Sequence, residues 1–424
     1  MSRYCRGSGQ PAALSIAAAA GRTAAAGPAA RTAGVLRAVR TARVPGVLAL
    51  ALSVLLASGC GSGPDRTAAT ARAALVVRPA LATSVAGPAG SSWAVVEMGG
   101  LAVQDENFWQ LFTRQAAAGS WKLATPKGVA DNGGLVVAGR GQSSLVTGFV
   151  PSQDLTFSPL ATTSDNGASW SPGLVTGGLA SLPGALAAAP DGRLLAILRD
   201  GTIMQSASNG ASWKQLTDKR SLAATPAGRA CGLVSLTGAA FGTSGEPLLA
   251  GQCSRPGVAG IFAYSSGSWR PAGPALPAAL AREDVEVIAL ASTSAGEAVL
   301  VSAGTGKDAS LIAGWSTGAA ARWTLAAPFR LGASQLISTS FDRHGGIGIT
   351  LNAGVGATLA GPGSSWHRLP RLPARTATLV PGPGTQVEAL ATTSAALSVW
   401  RLAAGSAWTR VQVIKVPIPY GSSS

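Results

Sequence analysis

The sequence predicts an all-β protein, a seven-bladed β-propeller of four-stranded antiparallel blades. The first observation is a tryptophan that follows a Gly- or Ser-containing turn and recurs along the chain at intervals of 42 to 56 residues. The tryptophans are Trp121, Trp170, Trp213, Trp269, Trp323, Trp366 and Trp408. A period of roughly 40 to 50 residues in a β-rich chain is typical of propeller blades. The second observation is that no stretch outside an N-terminal apolar segment shows helical periodicity.

Two segments indicate four strands to a blade. Residues 184–216 read GALAAAP-DG-RLLAILR-DG-TIMQSAS-NG-ASWKQL, which is four short apolar runs separated by three tight turns with glycine. Residues 376–413 follow the same rhythm. An additional Gly-Ser-Ser-Trp ending at Trp93 leaves blade counts of six and eight open. Ring closure is also open, because either residues 74–79 or residues 411–419 could supply a closing strand.

The N-terminal segment has the features of a secretory signal. Arg37, Arg40 and Arg43 precede an apolar stretch at 44–57, which small residues follow. The stretch is shorter than the roughly 20 apolar residues of a membrane-spanning helix. Its ending, LASGC, resembles the lipobox of bacterial lipoproteins, which implies that Cys60 is acylated and holds the protein on the outer face of the cell membrane. An ordinary cleaved signal is the alternative.

These features predict three regions. Residues 1–60 are a leader and lipoprotein-type signal peptide, residues 61–73 a flexible tether, and residues 74–424 the propeller. Residues 1–34 are rich in Ala, Gly and Arg and fit no part of a signal. We therefore hypothesise that translation starts near Val35 or Val39.

The four cysteines predict one disulfide. Cys5 lies in the leader and Cys60 is the proposed lipid site, which leaves Cys231 and Cys253. An even pair in an oxidising compartment is typical of a disulfide. The two histidines, His344 and His367, lack metal-ligand spacing, so no metal and no cofactor are predicted.

One of the tryptophan turns matches a known family motif in full. Thr163, Asp165, Gly167, Ser169 and Trp170 fit the pattern S/T-x-D-x-G-x-T/S-W. A second turn, with Ser206, Gly210, Ser212 and Trp213, departs from it in having Ser at the Asp position. The chain resembles the Asp-box, or BNR-repeat, superfamily of β-propellers, which includes sialidases, sortilin-type receptors and photosystem assembly factors. The resemblance implies that the motif forms the turn between the third and fourth strands of a blade, so its role is structural.

Charge is unevenly distributed along the chain. The sequence has 33 Lys and Arg against 18 Asp and Glu, a net charge of +15. Residues 1–60 contain seven Arg and no acid, so the remainder is only moderately basic. No run of basic residues is interleaved with aromatic residues, as nucleic-acid binding would require. The sequence therefore predicts no nucleic-acid partner.

A basic rim is predicted at the loops between blades. These loops lie at 126–134, 217–229, 280–284, 327–332 and 371–376, and they carry more Lys and Arg than Asp and Glu. The candidate rim residues are Arg282, Arg330, Arg371 and Arg375. Such a rim could attract a phosphate- or carboxylate-bearing ligand. Solvated loop charge that keeps the protein soluble is the alternative. The predicted partner is an envelope protein or an anionic glycan, and the oligomeric state stays unpredicted.

The residues that catalysis requires are scarce. A sialidase uses a Tyr nucleophile, but the three tyrosines are Tyr4, Tyr264 and Tyr420, and none is placed to attack a substrate. The segment 329–331 matches the sialidase FRIP motif only weakly. Residues 105–106 are the one acidic pair in a predicted loop between a second and a third strand. No phosphate loop, nucleophile elbow or dinucleotide fingerprint is present. The sequence thus favours non-catalytic binding, with a divergent glycosidase or a structural assembly factor as alternatives.

Overall fold

The computed structural model describes residues 83–86, 91–99, 107–115, 119–126, 135–140, 144–149, 160–171, 183–207, 210–317, 322–375, 377–382, 386–393, 395–402 and 407–416. All of them lie in one unit, Gly63–Ser424. The predicted leader, Cys60, the tether, the acidic pair at 105–106, Tyr4 and Tyr420 lie outside the described residues. No helix in these ranges is long and apolar enough to cross a membrane.

The described chain is almost entirely β-structure, which confirms the all-β prediction. Its strands are β1 (Thr83–Ala86), β2 (Ser91–Gly99), β3 (Asn107–Arg114), β4 (Lys122–Leu123), β5 (Leu135–Arg140), β6 (Ser144–Phe149), β7 (Leu160–Thr163), β8 (Pro183–Ala188), β9 (Leu194–Leu198), β10 (Thr202–Ser206), β11 (Lys214–Asp218), β12 (Leu233–Phe241), β13 (Pro247–Cys253), β14 (Gly260–Ser265), β15 (Ser268–Pro271), β16 (Val285–Thr293), β17 (Gly296–Ala303), β18 (Ser310–Thr317), β19 (Arg322–Leu325), β20 (Phe329–Arg330), β21 (Leu336–Phe341), β22 (Ile347–Leu351), β23 (Val355–Leu359), β24 (His367–Arg368), β25 (Thr378–Pro381), β26 (Val387–Thr392), β27 (Ala396–Leu402) and β28 (Trp408–Lys415). The helices are α1 (Lys219–Ala224) and α2 (Pro226–Cys231), with 3₁₀ turns at Ala278–Leu280 and Gly306–Asp308.

Consecutive strands pair into antiparallel meanders. In chain order these are the first (β1–β4), second (β5–β7), third (β8–β11), fourth (β12–β15), fifth (β16–β19), sixth (β21–β24) and seventh (β25–β28) meanders. The first and sixth share one sheet through a short parallel pairing of β1 with β21. The fourth and fifth share another through Gln252 and Glu286. The segments 184–216 and 376–413 each supply four strands, in the third and seventh meanders.

The apolar core lies between neighbouring meanders. Each cluster of buried side chains packs one meander against the next, from the first against the second to the sixth against the seventh. A further cluster, which includes Phe112 and Trp121 with Leu390 and Val399, packs the seventh against the first. Because both faces of most meanders are covered, inner strands do not alternate buried with exposed residues, and all eight residues of β17 are buried.

The connection at residues 217–229, which the sequence analysis describes as a loop, contains two short helices. The Asp218 side chain accepts the Ser221 amide at 2.8 Å and caps α1. Thr225 caps α2, whose first residue is Pro226. Each helix has only six residues. They are too short to show a helical period in the sequence.

The last meander is built from contiguous chain. Its fourth strand is β28, so residues 408–415 pair within their own meander. Residues 74–79, the other candidate for ring closure, lie outside the described residues. Trp93 is in β2 and not in a turn, and it is 6% exposed. The extra Gly-Ser-Ser-Trp therefore does not mark another turn of the tryptophan series.

Candidate functional site

Because neighbouring strands run in opposite directions, each meander has loops at both ends of its strands. The connections between meanders lie at the same end as the turns between second and third strands, and we call this end the connection edge. Backbone hydrogen bonds join the two kinds of loop: Gly257 N–H donates to Glu283 O at 2.8 Å and Gly304 N–H to Asp284 O at 2.9 Å. The opposite edge, which carries the remaining turns, is called the turn edge.

The turn at residues 163–170, which matches the Asp-box pattern, lies at the turn edge and is closed by its own side chains. Asp165 Oδ1 accepts the hydroxyl of Thr163 at 2.7 Å and the amide of Ser169 at 2.9 Å. Thr163 Oγ1 accepts the Gly167 amide at 3.0 Å. The hydrogen bonds from Ser169 and Thr163 lower the pKa of Asp165 to about 2. The side chains of Thr163, Asp165 and Ser169 are thus hydrogen-bonded within the turn, which is a structural arrangement.

The tryptophans of these turns join neighbouring meanders. In four of them the indole Nε1 donates to a carbonyl that follows the last strand of the preceding meander. The pairs are Trp170 with Ala124 at 2.8 Å, Trp323 with Ala272 at 2.8 Å, Trp366 with Ala327 at 3.1 Å and Trp408 with Pro370 at 3.4 Å. A large apolar ring with one polar atom suits this position between sheets.

The second motif is a partial version of the first. Ser206 is fully buried and its Oγ accepts the Gly210 amide at 3.0 Å, the same contact that Thr163 makes to Gly167. Ser212 is exposed. The indole Nε1 of Trp213 is buried without a hydrogen-bond partner among the described residues. The structure describes only three strands in the preceding meander, β5–β7.

A charged network lies at the turn edge between the first and seventh meanders, where sequence reasoning had placed nothing. Arg114 Nη1 and Glu388 Oε2 are 2.5 Å apart, and both side chains are under 10% exposed. Glu388 also accepts Trp121 Nε1 at 2.9 Å and Arg401 Nη2 at 2.9 Å. Burial lowers the pKa of Arg114, and Glu388 opposes this shift. Glu388 accepts the indole N–H of Trp121, whereas in four other turns a backbone carbonyl accepts the indole N–H.

At the connection edge, Cys231 and Cys253 form a disulfide with Cα atoms 5.0 Å apart. Cys231 ends α2 and Cys253 ends β13. The bond therefore fixes the helical connection to the second strand of the fourth meander.

The four predicted rim arginines are all exposed at the connection edge. Arg282 precedes β16 and Arg330 pairs with Ser310 at the start of β18. Arg371 and Arg375 lie between β24 and β25. They thus occupy three successive connections.

Two first strands, β12 and β16, form a half-exposed wall that ends at the connection edge. They contact each other, and Thr237 Oγ1 donates to Val287 O at 2.8 Å. Most residues of both strands are partly exposed, and Val234 is 49% exposed. The corresponding strands β21 and β25 are almost completely buried. The first strands β5 and β8 of the second and third meanders are also partly exposed, so the contrast is with β21 and β25.

Glu286 is the acidic side chain of this wall. It is half-buried, and burial raises the pKa of its carboxyl. It lies opposite Gln252 and Ser302 in the strand register, and the Ser302 hydroxyl is buried without a partner among the described residues. Sequence reasoning did not select Glu286. The available signal was a carboxylate inside an apolar strand, VEVIAL.

Basic side chains border the wall. Lys219 Nζ on α1 donates to Val234 O at 3.2 Å. Arg220 and Arg229 on the helices, and Arg282 before β16, are exposed. The arrangement combines apolar, hydroxyl and amide groups with cations at its margin, which suits recognition of an anionic, partly apolar ligand.

The described residues give little for catalysis or metal binding. They contain no group of three potential metal-ligating side chains. Phe329, in the segment that weakly matches the FRIP motif, is buried against Trp366, with ring centroids 5.2 Å apart. Tyr264 packs on Trp269 at 5.0 Å. Both aromatic residues serve packing.

No protein-family model matches the sequence, and no curated protein is significantly similar to it. Among solved structures, YCF48 bound to D1 peptide is 14% identical with a TM-score of 0.44, over 74% of this chain and 91% of that one. The GH74 xyloglucanase from Xanthomonas campestris is 12% identical with a TM-score of 0.49, over 77% of this chain and 52% of that one. The six-bladed Aleuria aurantia lectin is 14% identical with a TM-score of 0.37, over 68% of this chain and 97% of that one. These similarities are too low to assign a ligand or an activity.

Proposed function

We propose that the chain is a seven-bladed Asp-box β-propeller in which each meander is one blade. The support is the cyclic packing of the core, in which the seventh meander contacts both the sixth and the first. In this architecture β12 and β16 are innermost strands, and the exposed wall faces the central channel. The second blade has three described strands.

We propose that the protein binds a ligand at the connection edge without catalysing a reaction. One observation carries this proposal: β12 and β16 stay half-exposed while the corresponding strands β21 and β25 are buried. Leaving apolar strand residues in contact with water costs free energy, roughly 25 cal/mol per Å². A ligand that covers the wall recovers that energy.

The chemistry of the wall favours an anionic glycan of the cell envelope over a neutral one. Gln252, Ser235 and Thr237 offer hydrogen bonds of the kind that sugar hydroxyls use. Lys219 and Arg282 at the margin can pair with carboxylate or phosphate groups. An envelope protein is the other predicted partner.

The proposal includes export and lipid attachment at Cys60. The Cys231–Cys253 disulfide supports an oxidising compartment outside the cytoplasm. Metabolic labelling with a fatty acid tests the anchor: label should enter the full chain and be lost in Cys60→Ser. Label that persists in Cys60→Ser would contradict the anchor without affecting the binding proposal.

Binding is tested with isolated envelope polysaccharide and the full chain. Arg282→Ala with Arg330→Ala, and Arg371→Ala with Arg375→Ala, each remove two charges at the connection edge. The matched control, Lys214→Ala with Arg322→Ala, removes two exposed charges at the turn edge. We expect salt-sensitive binding that falls about tenfold for at least one of the first two pairs and is unchanged in the control. Equal losses of binding in all three double variants would contradict a role of the rim arginines in ligand binding.

Glu286 favours a second function, glycoside hydrolysis. A carboxyl whose pKa is raised by burial is what a general acid requires. The test is a panel of aryl glycosides with the wild-type chain and Glu286→Gln. If the protein binds its ligand without catalysis, the wild-type chain hydrolyses none of these glycosides. Turnover that is lost in Glu286→Gln would establish the enzyme instead.

A further inference from the structure

The outer strand of the seventh meander carries an exposed apolar face. Val411 and Val413 on β28 are 45% and 51% exposed, whereas the alternate residues Gln412 and Ile414 are half-buried toward the first meander. These valines and Val234 are among the few large apolar side chains of the described residues that are exposed. Two of them on one face of one strand form a local surface feature.

Aromatic and basic residues extend this face. The guanidinium of Arg410 lies over the ring of Trp400, 5.7 Å from its centroid. Lys415 is exposed at the end of β28. We define the outer face as Trp400, Arg410, Val411, Val413 and Lys415. Aliphatic, indole and cationic groups together are the composition of surfaces that bind at a membrane–water interface.

The charged residues of the outer face are Arg410 and Lys415, and both are exposed. The seventh meander contains a single acid, Glu388. Glu388 is buried and already neutralised by Arg114 and Arg401. The outer face therefore presents uncompensated positive charge beside its apolar groups, which is complementary to anionic lipid headgroups.

We propose that the outer face docks on an anionic lipid bilayer. Val411 and Val413 reach the headgroup boundary, while Arg410 and Lys415 pair with lipid phosphates. Docking of this kind orients the propeller on the membrane. It rests on the charge and exposure of β28 and is independent of the anchor in the proposed function.

The experiment measures the depth of single labelled positions in the full chain. An environment-sensitive fluorophore is attached to Val413→Cys or, as a control, to Val234→Cys, which is equally exposed but lies on β12. Cys5→Ser and Cys60→Ser leave only the introduced thiol reactive. An N-terminal His tag and a nickel-chelating lipid tether both proteins equally to vesicles. The vesicles are phosphatidylcholine with or without phosphatidylglycerol and contain acyl-chain quenchers.

We expect quenching at position 413, and not at 234, in the anionic vesicles alone. Arg410→Gln with Lys415→Gln should lower the docked fraction relative to the undocked fraction about tenfold or more, because each cation near an anionic surface contributes about fivefold. Lys214→Gln with Arg322→Gln, which removes two exposed charges elsewhere, should have no effect. Val411→Cys provides a second labelled position if Val413→Cys fails to fold.

Three results would overturn the docking proposal. One is no quenching at either position in anionic vesicles, and another is equal quenching at 413 and 234. The third is concentration-dependent shielding of position 413 from iodide without vesicles, since a second copy of the chain would then cover the face. Because the ligand-binding test uses connection-edge variants and polysaccharide, either proposal can fail while the other stands.

Discussion

The side-chain amide of Gln412 is hydrogen-bonded twice to the main chain of Trp121, 291 residues earlier in the sequence. Trp121 N–H donates to Gln412 Oε1 at 2.9 Å, and Gln412 Nε2 donates to Trp121 O at 2.7 Å. The Gln412 side chain thus makes the two hydrogen bonds that the backbone of a paired strand would make with Trp121. Together with Arg114 and Glu388 it joins the first and seventh meanders without exchange of a strand.

Glu388→Gln is expected to destabilise the protein by about 3 to 5 kcal/mol, because it leaves the charge of Arg114 buried and uncompensated. Urea denaturation followed by tryptophan fluorescence measures this change. Asp191→Asn is the matched control: it removes an exposed pair with Arg193 and should cost less than about 1 kcal/mol. Equal losses in the two variants would show that the buried network does not stabilise the contact between the first and seventh meanders.

Gly167→Ala is expected to cost more than Gly267→Ala. Both glycines have positive φ, 85° and 79°, so both variants lose about 1 to 2 kcal/mol to backbone strain. At Gly167 the added Cβ would also lie 2.6 Å from Ala124 Cβ in the first meander, whereas nothing lies within 4 Å at Gly267. The difference between the two unfolding free energies reports the contact between the Asp-box turn and its neighbour. An equal cost would contradict that contact.

Cys231→Ser with Cys253→Ser should lower stability by about 3 kcal/mol, because the bond closes a loop between residues 22 apart. Thermal unfolding with and without dithiothreitol measures it. The reductant should lower the Tm of the wild-type protein toward that of the double variant and leave the double variant unchanged. A wild-type Tm that is indifferent to the reductant would mean that the bond does not form in the purified protein.

The β-structure was predictable because its signals are local. The glycine turns of 184–216 delimit strands by backbone geometry alone, and the observed strands β8–β11 follow them. The helices α1 and α2 were not predictable from periodicity, since six residues complete fewer than two turns.

The candidate site was only partly predictable. Exposed arginines in connections could be named from the sequence, but Glu286 could not, because its environment depends on the pairing with Gln252 and Ser302 from other strands. The network of Arg114 with Glu388 was missed for the same reason: the two residues are 274 apart in sequence, and only the contact between the first and last meanders brings them together.

Glu286→Gln is expected to stabilise the protein at neutral pH. Burial raises the pKa of this carboxyl in the folded state, so folding favours its protonated form. The stability that the Glu286 carboxyl contributes is fully present below its pKa in the unfolded chain, about 4.3. It is lost as the pH rises through the pKa of this carboxyl in the folded protein. The Tm advantage of Glu286→Gln should therefore appear above pH 4 and grow to a plateau.

Asp165→Asn should behave oppositely, since the pKa of Asp165 is lowered to about 2. Its Tm deficit should be complete above pH 4 and shrink between about pH 4 and 2. If both variants changed Tm by a constant amount at every pH from 2 to 8, neither carboxyl would be coupled to folding through its charge, and the desolvated environment assigned to Glu286 on the wall would be wrong.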